Sequence, residues 1–563
     1  MNLIDREKNI MKIDKKFYIF TSLLLICEIF FFRNVLFNDS LFGDFGDARL
    51  TMLITEHWYR FLQGLEKIND LGIFYPAENT LAYSDMFLGY GIIHSFFRFC
   101  GLDMFLSYKI TLILVHLLGV FSLFYFLSKV LKVDYFWSFF GTSAFSFSCT
   151  CANQFFHPQL NVANFLPLFL IFFVRAIQNV DDRLKKNIYM YSAIFVVVLT
   201  LYTAWYVFFF SALFIFILLV VSLILFAINK IDIKDTIKKI GTDIVGYVIS
   251  MILLMIPFAM AELPVLKMSG DRNYTHILQL LGNFFSYIFT RNSIFDFAFK
   301  PLFKYCHTIF IQMGFSIVLL IAFFLFFVLI FSKKKEKEFS IVFYKSIFIT
   351  LIICLLLPVK IPFTNFSLWY FVYKFFIGGT SIRMATRFLF VLSLPISIIC
   401  AISGNIFLNA KNLGDKKYIT ILSIICVLLF ISNINTVGVS SQYTREQELA
   451  FLNSIPSPPK DCKAFYLINP YVNQLGKGRK ILNSIIYRVA GHEIALKFNL
   501  KTINGYSGLV PKDYGIIEEV SYSMENLYSK DYKRCVLEWI DRYNLEDVYT
   551  YDIKNQKWEK VKK

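Results

Sequence analysis

Long apolar segments separated by short polar ones run through most of this 563-residue chain. The first extends from Phe17 to Phe37, and others lie at 104–128, 136–151, 160–176, 188–204, 206–228, 240–261, 307–331, 341–358, 388–407 and 418–434. A helix needs about 20 apolar residues to cross the hydrocarbon core of a bilayer, and roughly 17–25 are tolerated. The pattern predicts a polytopic α-helical membrane protein with about 11 transmembrane helices, the segment at 136–151 being the shortest.

Two apolar stretches need separate treatment. The run over 188–228 is too long for one crossing, so we place a break at 203–206, where Trp and Tyr favour the membrane interface. Met86–Cys100 would invert the orientation of every later helix if it crossed the membrane. We therefore expect an interfacial or re-entrant helix there, with His94 and Arg98 on its polar side.

Basic residues predict the orientation and account for the formal net charge of +17. With the N-terminus in the cytoplasm and alternating helices, every dense Lys/Arg cluster falls in a cytoplasmic loop, as the positive-inside rule requires. The clusters are Lys129 and Lys132; Arg183, Lys185 and Lys186; Lys230, Lys234, Lys238 and Lys239; Lys333, Lys334, Lys335 and Lys337; and Lys411, Lys416 and Lys417. Because this rule explains the basic charge, no nucleic-acid partner is expected.

Composition separates a membrane region, residues 1–434, from a tail, residues 435–563. The chain is 57% hydrophobic and only 17% charged, well below the charged share of soluble domains. The tail instead alternates predicted helices and strands, which indicates a small extracytoplasmic α/β domain. The predicted elements are helices at Glu446–Asn453, Ile481–Phe498 and Cys535–Tyr543, and strands at Ala464–Asn469 and Asp547–Tyr551.

Candidate chemistry begins in the first outer loop, residues 38–103, where Asp44 and Asp47 flank a Phe-Gly pair. Two converging carboxylates suit a divalent cation or a general base. Alternatively, Asp47 caps the helix that starts near Ala48, whereas Asp44 has no evident structural role. That helix, Ala48–Glu66, is amphipathic, and it either lies on the membrane surface or packs against other outer loops.

Cationic residues near the outer boundary form a second candidate group. Arg383 and Arg387 are four residues apart just before the span at 388–407, so a helix would place them on one face. They are candidates for contacts to a phosphate, and the alternative is that they are snorkelling membrane anchors. Arg272 is a weaker candidate of the same kind.

Three further residues face the same predicted space. His157, in a short outer turn, could orient a phosphate, act as acid or base, or serve only as a hydrogen-bonded structural residue. Tyr83 and Asp85 could shape an acceptor site or end the loop with a local cap.

Several short motifs, taken in order, resemble bacterial members of the GT-C glycosyltransferase superfamily, of the YfhO-like polytopic type. They are Asp44 and Asp47 after the first span, FYPAENTLAYSD at 74–85, HPQ at 157–159, SIRMATRF at 381–388 and NGYSGLVP at 504–511. The resemblance implies transfer of a sugar from a polyprenyl-phosphate carrier on the outer face of the membrane. It places the base or metal ligand on Asp44 or Asp47, whose spacing does not match a DxD metal motif.

We therefore expect a multi-pass cell-membrane glycosyltransferase that modifies a cell-envelope glycan, lipid or protein. Asp44 is the favoured base, Asp47 is its partner or a ligand of Mg or Mn, and Arg383 and Arg387 contact the phosphate. One alternative is a transporter or flippase of lipid-linked sugars, although the repeats and broken spans typical of that class are not visible. Another is a non-catalytic envelope assembly protein that binds glycan through its tail.

Overall fold

The computed structural model describes residues 14–232, 234–269, 272–283, 339–361, 364, 366–409, 439, 443–468, 484–514 and 530–561. Helices dominate these residues and are accompanied by a small sheet in the tail. The predicted spans at 307–331 and 418–434, and the predicted boundary at 434/435, lie outside the described residues.

Six helices of the described part are long and apolar enough to cross a membrane. They are Met104–Val130, Pro158–Gln178, Arg183–Thr203, Trp205–Asn229, Ile244–Met268 and Ala385–Asn405. Each coincides with an apolar segment from the sequence, whereas Val342–Leu356 is a shorter apolar helix. The total of about 11 spans and the orientation remain predictions.

The helices of the membrane region are labelled here in chain order. They are α1 (Lys15–Phe31), α2 (Arg33–Phe37), α3 (Asp47–Leu62), α4 (Leu88–Phe99), α5 (Met104–Tyr125), α6 (Tyr135–Ser146), α7 (Cys149–Asn153), α8 (Leu166–Gln178), α9 (Arg183–Thr203), α10 (Trp205–Asn229), α11 (Lys234–Gly241), α12 (Ile244–Ser269), α13 (Tyr274–Gln279), α14 (Phe339–Leu356), α15 (Trp369–Phe375) and α16 (Phe388–Asn409). Short 3₁₀ turns at Thr80–Tyr83, Gln154–Phe156, Pro158–Phe165, Gly379–Ser381 and Ala385–Arg387 connect or extend them.

The predicted break in the long apolar run over 188–228 is confirmed. Helix α9 ends at Thr203 and α10 begins at Trp205, because Ala204 between them is extended, with φ −154° and ψ 116°. The carboxylate of Asp85 accepts a hydrogen bond of 2.7 Å from the Trp205 N–H. A distant loop thus caps the start of α10, where helix N–H groups lack partners within the helix.

A single span over 136–151 is not what the structure contains. Helix α6 has only 12 residues, which at about 1.5 Å per residue cannot cross a core of about 30 Å. The chain leaves the helix at Phe147, and the Ser148 hydroxyl accepts from the Cys151 N–H at 3.0 Å to start the short helix α7. Serine favours such a cap over the interior of a helix, and it divides the predicted segment.

The amphipathic helix α3 packs inside the protein. All but four of its side chains are buried, which favours packing against other segments over a position on the membrane surface. Its Glu56 carboxylate accepts from His94 at 2.7 Å and from Arg98 at 2.9 Å, both on α4. The polar side of α4, expected to face an interface, is therefore turned onto α3.

The tail contains the predicted alternation of helices and strands. Its elements are α17 (Arg445–Ser454), β1 (Ala464–Ile468), α18 (Ser484–Phe498), β2 (Lys501–Thr502), α19 (Lys530–Arg542), β3 (Val548–Asp552) and β4 (Lys557–Lys560). The strand order is β2-β1-β3-β4, with β1 parallel to both of its neighbours and β4 antiparallel to β3. Strands β2 and β4 were not predicted, since both are short and polar.

The tail and the 38–103 loop pack directly against each other. The Tyr75 N–H donates to the Thr502 carbonyl at 3.0 Å, and the Thr502 N–H donates to the Gly72 carbonyl at 2.9 Å, so the loop lies along β2. Buried Arg49 on α3 pairs with Glu448 of α17 at 2.5 Å and with Glu493 of α18. These contacts bring the tail to the N-terminal end of α3, where Asp47 lies.

Candidate active site

Asp47 is the centre of a hydrogen-bonded group drawn from three distant parts of the chain. It is the first residue of α3, and its Oδ2 accepts from Nδ1 of His157 at 3.0 Å. Its Oδ1 accepts from the Tyr506 hydroxyl, in the tail, at 2.6 Å. Both carboxylate oxygens are thereby oriented by side chains, as expected of a functional carboxylate.

The two aspartates have exchanged the structural roles that the sequence suggested. Asp47 makes no capping hydrogen bond, and Gly46 occupies the N-cap position. Asp44 supplies the cap instead, because its Oδ1 accepts from the N–H groups of Gly46 at 3.0 Å and Ala48 at 3.2 Å. The proposal that Asp47 is the helix cap is therefore wrong, and Asp44, the favoured base, has a structural function.

The surroundings of the two aspartates move their pKa values in opposite directions. Burial opposes the charge of Asp47, but the hydrogen bond and charge of His157, the Tyr506 hydroxyl and the Arg387 guanidinium together lower its pKa well below the usual value. Burial and the neighbouring charge of Asp47 raise the pKa of Asp44. Asp47 is thus the carboxylate held in its ionised form.

Arg387 supplies a buried positive charge beside Asp47. Its side chain is largely buried, and its guanidinium lies over the ring of Tyr206, 5.4 Å from the centroid. Its charge acts on both Asp47 and Asp85. Among the described residues its Nε has no hydrogen-bond partner. A buried guanidinium with an unused donor is suited to an anion that enters the site.

Arg383 and Arg387 are not arranged as successive turns of a helix. Helix α16 begins only at Phe388, the preceding turn is 3₁₀, and Met384 has φ −109° and ψ 74°. The prediction of one helical face is wrong, because the backbone from Arg383 to Arg387 is not α-helical. Arg383 is exposed, and its N–H donates to the Tyr206 hydroxyl at 3.0 Å, so both arginines lie beside the same tyrosine.

Arg272 extends this positive region. Burial and the charge of Arg383 lower the pKa of Arg272, and its carbonyl accepts from the Tyr373 hydroxyl at 3.0 Å. Two guanidinium groups that repel each other gain stability when an anion lies between them. Arg272, Arg383 and Arg387, all predicted from the sequence, thus lie near Tyr206 or near one another. Arg383 and Arg387 do not share the predicted helical face.

Asp85 lies near Arg387 at the start of α10, whereas Tyr83 packs within its own loop. Burial raises the pKa of Asp85 to about 6, while the Trp205 N–H and Arg387 act against that rise. Its cap on α10 is a contact across the fold, where a local cap was the expected alternative. Tyr83 is buried against Phe74, with ring centroids 5.9 Å apart, so it packs within the loop.

Several residues of the site had little or no signal in the sequence. Tyr206 was predicted only as an interfacial aromatic at the break in the apolar run, and Tyr506 is 459 positions from its partner Asp47. Arg488 of α18 lies over the Tyr506 ring, 5.4 Å from the centroid. Glu262 of α12 lies close enough to Asp85 for the two carboxyl groups to oppose each other's ionisation. The NGYSG motif marked the loop containing Tyr506 but not its target.

The described residues provide few ligands for the Mg or Mn ion expected at Asp44 and Asp47. Within the described ranges, no group of three or more His, Cys, Asp or Glu residues is arranged to hold a metal ion. Asp44 accepts two backbone N–H bonds on Oδ1, and each oxygen of Asp47 accepts from one side chain. Mg²⁺ can bind through one or two carboxylates, but its other ligands are then waters or substrate phosphates. We therefore derive no reaction step through a metal.

Comparison with known proteins gives a structural alignment and no sequence match. No family model and no curated protein sequence matches this chain. A solved structure of the archaeal oligosaccharyltransferase AglB from Archaeoglobus fulgidus, in complex with an inhibitory peptide and a dolichol-phosphate, aligns with 96% of this chain and 70% of its own. The TM-score is 0.47 and the identity is 12%.

Proposed function

We propose that this protein is a membrane glycosyltransferase of GT-C type, which moves a sugar from a polyprenyl-phosphate carrier to a hydroxyl group of a cell-envelope acceptor. The observation that carries the proposal is the position of Asp47. This ionised carboxylate, held by His157 and Tyr506, lies within the electrostatic reach of buried Arg387. Glycosyl transfer from a lipid phosphate needs both an acceptor for a proton and a cation for a leaving phosphate.

Asp47 is proposed to accept the proton of the attacking hydroxyl. Each carboxylate oxygen can accept more than one hydrogen bond, so the contacts to His157 and Tyr506 leave capacity for an acceptor hydroxyl. The low pKa of Asp47 fits this role, because an oxygen that is bonding to the anomeric carbon becomes strongly acidic. A weak base that is ionised before the reaction then suffices.

Arg387 is proposed to stabilise the leaving phosphate. Arg387 lies in the first turn of the candidate span Ala385–Asn405, where a phosphate at the membrane surface could reach it. Its unused Nε donor and buried position make a charge-assisted hydrogen bond stronger than it would be in water. Arg383 and Arg272 add positive charge on the same side. The sugar ring would lie between Arg387 and Asp47.

The test uses purified protein in lipid nanodiscs with a panel of radiolabelled polyprenyl-phosphate sugars and a cell-envelope extract as acceptor. Transfer of label and release of polyprenyl phosphate are both measured. Asp47→Asn should lower the rate by about 10²- to 10⁴-fold, the range typical for loss of an acid–base group. Folding of each variant is checked by its melting temperature.

The matched control is Asp44→Asn, which retains an oxygen able to cap α3. It should lower the rate by less than about tenfold, since asparagine caps helices nearly as well as aspartate. The proposal fails if folded Asp47→Asn transfers sugar at the wild-type rate. If Asp44→Asn were the inactive variant, Asp44 would be the base, as the sequence predicted.

A further inference from the structure

We propose that Tyr506 is a positioning residue for Asp47, so that the tail completes the active site of the membrane region. Its catalytic meaning rests on the proposed glycosyl transfer, but its effect on Asp47 can be measured without substrate. The Tyr506 hydroxyl donates to Oδ1 of Asp47 at 2.6 Å, on the oxygen opposite the one that His157 contacts. The carboxylate is thus held from both sides.

The loop that presents Tyr506 is closely fitted to its surroundings. The Asn504 side chain accepts from the Leu467 N–H at 2.7 Å, which ties the loop to β1. A Cβ on Gly505 would come within 2.4 Å of the Phe74 ring, so glycine is required for this approach. After Tyr506, the Leu509 N–H donates to the Tyr83 carbonyl at 2.9 Å. The loop is therefore anchored on both sides of Tyr506.

Helices α3 and α18 hold the Asp47–Tyr506 hydrogen bond from its two sides. Helix α3 contains Asp47 and Arg49, and helix α18 contains Arg488 and Glu493. Arg49 pairs with Glu493 in the buried contact between these helices, while Arg488 lies over the ring of Tyr506. A shift of α18 relative to α3 would therefore disturb the distance from the hydroxyl to the carboxylate.

A tyrosine hydroxyl in this position does more than join two segments. A donor to the ionised carboxylate favours the charged form and restricts rotation of the side chain. The pKa shifts agree with this role, because burial and the charge of Asp47 raise the pKa of Tyr506. Without the hydroxyl, one oxygen of Asp47 would lose its only described side-chain donor.

The test compares Tyr506→Phe with Tyr514→Phe in the full-length protein. Tyr514 is buried in the same part of the tail and donates to the Ile503 carbonyl at 2.9 Å, away from Asp47. Carbodiimide reacts with protonated carboxyl groups, so its rate of reaction with Asp47 at a fixed pH of about 5, followed by peptide mass spectrometry, reports the protonated fraction. Tyr506→Phe should raise that rate about tenfold, the equivalent of one pKa unit.

A second variant guards against a change in folding or access. Incorporating 3,5-difluorotyrosine at position 506 keeps the ring but makes the hydroxyl a stronger donor, so the labelling rate should fall below that of wild type. In the transfer assay, Tyr506→Phe should lower kcat by about tenfold, the loss expected for one charge-assisted hydrogen bond, with little change in KM.

The proposal is overturned if Tyr506→Phe and Tyr514→Phe label Asp47 at the same rate, or if difluorotyrosine has no effect. Because labelling needs no substrate, these outcomes are independent of whether wild-type protein transfers sugar. Absence of transfer with every donor would refute the proposed function and leave the labelling result standing.

Discussion

Replacing Arg49 by methionine should release the tail from the 38–103 loop. Arg49 is 2% exposed, and the glutamates that it contacts, Glu448 and Glu493, are each 0% exposed. Methionine retains much of the apolar stem but leaves two buried carboxylates without their cation. Removing one partner of a buried ion pair costs about 3–5 kcal/mol, and repulsion between the two glutamates places this case at the upper end.

The assay is a melting curve in detergent together with limited proteolysis of the tail. Arg49→Met should melt at a lower temperature and expose the tail to protease, because its ion pairs join α3 to α17 and α18. The control is Arg183→Met, whose side chain is 76% exposed in its pair with Asp243. Asp243 is 9% exposed but keeps its contact with Lys186 at 2.8 Å, so loss of the exposed arginine should leave this control close to wild type.

A triple variant, Arg49→Met with Glu448→Leu and Glu493→Leu, separates charge from packing. Replacing a whole buried ionic group by apolar residues is often neutral or stabilising. The triple variant should therefore melt above Arg49→Met. If Arg49→Met melts like Arg183→Met, or if the triple variant is the less stable one, the electrostatic explanation of tail docking is incorrect.

Three further outcomes are expected. Burial raises the pKa of Asp85 to about 6, so the folded protein binds its proton more tightly than the unfolded chain. This contribution to stability is present below the usual pKa of about 4 and is lost as the pH rises through the pKa of the folded protein. Asp85→Asn should flatten that part of a plot of melting temperature against pH. An unchanged slope would contradict the assignment of this pH dependence to Asp85. Gly43→Ala should destabilise by more than about 1 kcal/mol, because at φ +70° its Cβ would meet Ala48 and Phe155 at 2.5 Å. Gly101→Ala, also at positive φ but with nothing within 4 Å, should cost less in the same thermal melts. Chelation by EDTA should leave sugar transfer unchanged, and a loss that Mg or Mn restores would show that a metal is needed.

Local patterns predicted many elements of the fold, although not the division of 136–151 or the short strands β2 and β4. Apolar length predicted the positions of all six candidate spans in the described residues, and interfacial aromatics predicted the break at Ala204. The predicted tail elements were found, with ends that differ by one residue for Arg445–Ser454 and by five at the start of Lys530–Arg542. Such features depend on residues a few positions apart, so a linear reading detects them.

Tertiary contacts determined the positions of several side chains that spacing along the chain predicted incorrectly. A four-residue spacing predicted one helical face for Arg383 and Arg387, but the chain there is not α-helical and both arginines instead lie beside Tyr206. The polar residues of α4 were expected at an interface, yet Glu56 of α3 satisfies them inside the protein. Periodicity states which residues share a face only if the backbone is helical, and never what that face contacts.

The sequence by itself determined an apolar membrane region, an α/β tail and a pair of aspartates near the start of a helix. Which aspartate caps that helix and which one contacts distant side chains was decided by the tertiary structure alone. Asp44 accepts hydrogen bonds from N–H groups two and four residues later in the chain. Asp47 accepts from His157 and Tyr506, which are 110 and 459 positions away. Hydrogen bonds depend on distance in space, and no spacing along the chain encodes partners so remote.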